Sequence, residues 1–162
     1  MANLDRQTYK SSWNPNVAEM VLKFDDDSAA GAAGTYEASV KVPAGAYILD
    51  VIVAGVVVWN PGTSATLIVG DADDDDLYYT AVDSLTSADL DAGEVLSFGH
   101  DGGTLGVGNT DDNGLIAGYS ASVRQVTCKM TLAGSAATTG ETRIVVIWIK
   151  PTDSISSSFT AA

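Results

Sequence analysis

At 162 residues, 46% of them apolar and only 18% charged, the chain can bury one hydrophobic core without disulfide or metal staples, and much of its surface must be Ser, Thr, Gly and Ala. The 21 acidic residues outnumber the 8 Lys plus Arg and leave a net charge of −13, which repels phosphate and anionic lipid and argues against nucleic-acid and membrane-surface partners. One cysteine, Cys128, and one histidine, His100, allow neither an intrachain disulfide nor a Cys/His zinc cluster.

Residues 1–19 are polar around isolated Tyr9 and Trp13, carry an Asn-Pro-Asn turn signal at Asn14 to Asn16, and read as an extended N-terminal arm. They lack the apolar centre of a signal peptide, and no apolar run approaches the roughly 18 to 20 residues of a membrane helix, so the expectation is a soluble chain made in the cytoplasm. Val21 to Phe24 is a short strand candidate, closed by Asp25, Asp26 and Asp27 and by a small-residue loop, SAAGAAG. Tyr36 to Val42 alternates, with Tyr36, Ala38, Val40 and Val42 on one face and Glu37, Ser39 and Lys41 on the other, the period of a half-buried strand. Pro43-Ala44-Gly45 supplies a turn into Tyr47 to Trp59, an apolar run rich in Val and Ile and interrupted by Asp50.

Ser64 to Gly70 alternates again, with Ala65, Leu67 and Val69 inward, and leads into the acidic loop Asp71 to Asp76. A shorter strand near Leu77 to Val82 follows, then one helical turn at Leu85 to Leu90. Seven glycines between Gly99 and Gly118 predict a long mobile loop or an irregular edge hairpin. Gln125 to Leu132 puts Val126, Cys128, Met130 and Leu132 on one face, and Glu141 to Lys150 closes the core; the tail, 153–162, is expected to be loose. With no helical period over a dozen residues, the pattern points to a sandwich, jelly roll or partly open barrel, and the reading is an all-β, antiparallel β-sandwich over 20–152, jelly-roll-like in architecture.

Two runs, Tyr47 to Trp59 and Ile144 to Ile149, are apolar at odd and even positions alike. Without crossover helices to cover them, their second face must meet another sheet layer, a loop or another copy of the chain, and the low charge content favours a homo-oligomer.

The candidate chemical sites are few. The Gly70 to Asp76 loop offers oxygen ligands of the kind calcium prefers, yet Asp76 stands where an EF-hand needs Gly and Val82 where it needs Glu. His100 beside Asp101 lacks an evident nucleophile and oxyanion donor. Cys128 falls on an inward strand face, where a thiol acts as a small hydrophobe. Gly102 to Gly108 follows no strand and opens no helix, so it is no dinucleotide loop. The chain is accordingly read as a non-enzyme with no catalytic, cofactor or metal residues.

The combination Val42-Pro43-Ala44-Gly45, an apolar strand, Thr66 to Asp74 with its Val69-Gly70-Asp71 junction, then Leu77 and Val82-Asp83, resembles small β-rich virion proteins of tailed phages. The shared features cover about residues 36–90 and the closing strand within 141–150. The resemblance implies a capsid decoration or cement protein on the outside of the virion, a homotrimer that bridges capsomers of the major capsid protein, with residues 1–19 as an anchoring arm. A fibre, spike or neck component is the nearest rival. A different class, a carbohydrate- or calcium-binding β-sandwich module, is motivated by the acidic loop and by exposure of Trp13 or Trp59.

Overall fold

The alternating segments become strands because period-2 burial lets one face of each pack on a core while every backbone polar group pairs with a neighbour. The computed structural model describes residues 15–26, 33–84, 90–97 and 118–150. Among these lie eight strands: β1 (Asn16–Lys23), β2 (Gly34–Val42), β3 (Tyr47–Val57), β4 (Ser64–Gly70), β5 (Tyr79–Asp83), β6 (Val95–Ser97), β7 (Arg124–Ala133) and β8 (Glu141–Ile149). They form two four-stranded sheets, β1-β8-β3-β6 and β2-β7-β4-β5, with antiparallel pairing throughout. The protein is an all-β sandwich.

The inner faces follow the sequence pattern. Tyr36, Ala38 and Val40 of β2 oppose Met130, Cys128 and Val126 of β7, which on its other side meets Leu67 and Val69 of β4. From the second sheet Met20, Val53 and Ile144 share one row, and Val51 and Val146 another. Most of these side chains are excluded from water, each apolar one worth about 1.5–3 kcal/mol of transfer free energy. Trp59 lies past the end of β3 and turns inward, 1% exposed. Its indole N–H donates to Thr142 Oγ1 at 2.9 Å, and its ring meets Tyr36 at 5.9 Å, so it joins the two sheets. The idea that Trp59 could serve as an exposed sugar platform is therefore overturned; Trp13 lies outside the described residues.

Several boundaries differ from the sequence reading. Strand β1 begins at Asn16, inside the stretch expected to be an arm, because Asn16 to Glu19 pair with Trp148 to Val145 of β8. Strand β3 contains a bulge: Ile48 opposes Trp148 and Asp50 opposes Ile147, leaving Leu49 extra. The bulge switches the inward phase from Ile48 to Val51 and Val53 and turns Asp50 outward, so the charge inside this apolar run is only half-buried and accepts a hydrogen bond from Ser97. Strand β6 has only three residues, too few to leave a period. The expected helical turn falls mostly on 85–89, and the glycine-rich segment mostly on 98–117, outside the described residues.

Candidate functional site

The acidic loop joins β4 to β5 and is folded by its own carboxylates. Asp71 Oδ1 accepts the amides of Asp73 and Asp74 at 3.0 and 3.2 Å, an Asx turn that reverses the chain. The reversal brings the Asp74 and Asp75 backbone over Gly70, where a Cβ would collide with their carbonyl groups. That close approach is why a glycine precedes the acidic run. Asp71 also meets Arg124 of β7 at 3.6 Å, with both side chains about nine-tenths buried, and Arg124 donates to the Tyr78 hydroxyl at 2.9 Å. Burial pushes the Tyr78 hydroxyl above its ordinary pKa, against the pull of Arg124.

Three carboxylates, of Asp74, Asp75 and Asp76, bring oxygens within 4.8 Å of one another. Two are engaged by neighbours: Lys129 Nζ reaches Asp75 at 3.1 Å and Thr80 donates to Asp76 at 2.9 Å. Asp74, hydrogen-bonded to the Asp76 side chain and crowded by the Asp76 and Asp71 charges, is held above the usual 3.8. Beside the loop, a cleft of about 560 Å³ is lined by Asp71, Asp73, Asp74, Tyr119, Val123 and Arg124 among others. Its cation, Arg124, is engaged by Asp71 and Tyr78. Cys128, fully buried opposite Ala38 and Val69, has its thiol pKa pushed up by desolvation and packs as a hydrophobe. His100, Asp101 and Gly102 to Gly108 lie outside the described residues.

The larger feature is the outer face of the β1-β8-β3-β6 sheet. Three rows cross it: Val17, Ile147 and Asp50; Glu19, Val145, Ile52 and Ser97; Val21, Arg143, Ala54 and Val95. Seven of these eleven side chains are apolar, and Val17 and Val95, at its two edges, are 62% and 57% exposed. The face continues into Tyr47, 41% exposed, whose ring lies 4.9 Å from that of Tyr119. Its charged side chains have local partners: Arg143 meets Glu19 and Glu141, each at 3.2 Å, Lys23 meets Glu141 at 3.6 Å, and Ser97 donates to Asp50 at 2.6 Å. The side chains of this face thus form one largely apolar surface on the outside of the sheet. The two-sided composition of β3 and β8 signalled it in the sequence; that the two strands lie side by side, so that their outer residues merge into one patch, was not legible there.

No protein-family model matches the chain, and no curated protein matches it. Solved structures do match in fold. A chain of the cyanophage Pam1 capsid asymmetric unit superposes with a TM-score of 0.58 at 19% identity, over 93% of this chain and 94% of that one. A chain of the acidic stable capsid structure of Helicobacter pylori bacteriophage KHP30 gives 0.55 at 16%, over 85% and 89%. The sandwich described here is thus a fold that also occurs, over nearly its full length, in two phage capsid structures.

Proposed function

We propose that the protein is a structural, non-catalytic component of a phage virion, a decoration or cement protein that sits on the capsid exterior as a homotrimer and bridges capsomers of the major capsid protein. The observation that carries this reading is the fold likeness to chains of two capsids, which extends over most of both partners' lengths rather than over one shared motif. The strand orders agree with it: every connection except β4 to β5 crosses between the sheets, which supports a jelly-roll-like sandwich. An apolar, charge-paired sheet face supplies the contact surface that a subunit of an assembly needs. The anchoring role read for residues 1–19 is assigned to the part of that stretch ahead of β1, which begins at Asn16.

The test is co-sedimentation of the purified protein with expanded heads of its own phage that lack decoration. Saturable binding, with heads that then resist heating better, is expected, and light scattering should give about three times the 16.7 kDa chain mass. Heads that sediment without the protein would refute the cement role.

A further inference from the structure

We infer that the cleft between the acidic loop and the start of β7 receives residues 1–14 of the same chain, with Arg6 and Lys10 set against its carboxylates. The inference goes beyond the assembly reading and does not depend on it, since it concerns the chain before any partner is met. The cleft is more than a run of acids. Its volume is about 560 Å³, and Tyr119 and Val123, 53% and 63% exposed, give it an apolar wall beside Asp73, Asp74 and Gln125. Arg124 is the cation among its lining residues and is engaged by Asp71 and Tyr78, while Asp73 and Asp74 form no ion pair among the described residues. An occupant that balances such a site brings cationic side chains together with apolar surface. A guanidinium meets a carboxylate as a fork and stacks on a tyrosine ring.

Charge singles out the segment. Of the stretches outside the described residues, 98–117 holds three aspartates and 27–32, 85–89 and 151–162 one each, none with a Lys or Arg, so the cleft repels them all. Only 1–14 carries a surplus of cations, Arg6 and Lys10 against Asp5, and its Tyr9 and Trp13 supply apolar surface for Tyr119 and Val123. The topology puts the segment within reach. Asn16, the first residue of β1, shares a row with Trp148 and Ile48, and the next residue of β3, Tyr47, bridges to Tyr119 on the cleft wall. Two strand spacings, about 10 Å, separate β1 from β3. Extended chain covers about 3.3 Å per residue, so Lys10 reaches about 20 Å from Asn16 and Arg6 about 33 Å. Tethering gives the segment an effective concentration on the order of millimolar at its own cleft, well above that of a second copy in dilute solution.

The experiment is trypsin cleavage after Arg6 and Lys10 in the full chain, read by mass spectrometry of the released fragments, for wild type, D73N/D74N and E37Q/E94Q. Asp73 and Asp74 are exposed and lie outside the Asp71–Arg124 pair, Glu37 and Glu94 are exposed away from the cleft, and both double variants move the net charge from −13 to −11. Unchanged circular dichroism checks that each folds. Wild type is expected to be cut at least about tenfold more slowly than a synthetic peptide of residues 1–16, at a rate independent of chain concentration. D73N/D74N should regain most of that factor and E37Q/E94Q none of it. Salt at about 1 M screens the same contacts without any variant and should accelerate cleavage of wild type relative to the peptide. Wild-type cleavage at the peptide's rate overturns the inference, as does protection that neither D73N/D74N nor salt relieves. Protection that grows with chain concentration overturns it in favour of residues 1–14 of a second copy.

Discussion

The two sheets have interchangeable inner faces and opposite outer ones. Inside, each contributes a lattice of Val, Ile, Leu and Met with almost no exposure. Outside, the β2-β7-β4-β5 sheet shows rows of Thr35, Thr131 and Thr66, of Glu37, Lys129 and Ile68, and of Ser39 and Thr127, while the β1-β8-β3-β6 sheet shows Val, Ile and Ala. The inner phase of a strand makes the sandwich; the outer phase decides what the sandwich touches. A chain with few charges solvates one outer face largely with hydroxyl groups and leaves the other mostly apolar.

The largest effects should come from the shared core and should not distinguish the sheets. Leu67→Ala from one inner face and Ile144→Ala from the other are each expected to lose about 2–5 kcal/mol in urea unfolding, since both side chains are fully buried. A large inequality would mean that one sheet contributes little to the cooperative unit. Next comes a place where the polar-faced sheet nearly buries an ion pair. Arg124→Leu strands the nearly buried Asp71 and removes a partner of Tyr78, and should cost about 3 kcal/mol at neutral pH.

Smaller effects sharpen the comparison at the end of the same sheet. Strand β5 bulges against β4, where Leu67 pairs with Val82 but Val69 with Tyr79, and Ala81 sits in the left-handed region at φ 54°. Ala81→Gly should therefore stabilise by about 0.5–1 kcal/mol, read as a raised unfolding midpoint, although glycine normally weakens a strand. Smallest is Asp74→Asn. Asp74's folded pKa is raised, so the folded protein binds its proton more readily than the unfolded chain, and stability from this group falls as pH rises through the raised value. Removing the charge should lift the melting temperature slightly at pH 7 and leave it unchanged at pH 3, where the wild-type carboxyl is already protonated.

Strands whose outer phase is polar were the most legible. In β2, β4 and β7 the alternation of Tyr36 to Val42, Ala65 to Val69 and Val126 to Leu132 names the inner residues directly, because exposed Glu, Ser, Thr and Lys mark the other face. Strand β3 hides its phase, since both faces are apolar and a bulge at Leu49 shifts the register midway. Trp59 could be taken for a surface aromatic because nothing local says that the chain turns inward after Val57. The carboxylates of the acidic loop were visible as a run, but their engagement with Arg124, Lys129 and Thr80 was not, since Arg124 and Lys129 come from β7, about fifty residues along the chain.

By itself the sequence determined the class of the protein, one all-β sandwich with Val, Ile and Leu at every second position, because burial on a pleated strand is a local property of period 2. It also determined that β3 and β8 carry apolar residues on both sides. Only the tertiary structure decided that these strands are neighbours and that β1 and β6 flank them. Pairing across a sheet joins residues a hundred positions apart, and nothing in a strand's own pattern specifies which partner completes its hydrogen bonds. The apolar face is the product of both: local composition supplied the side chains, and long-range pairing gathered them into one surface.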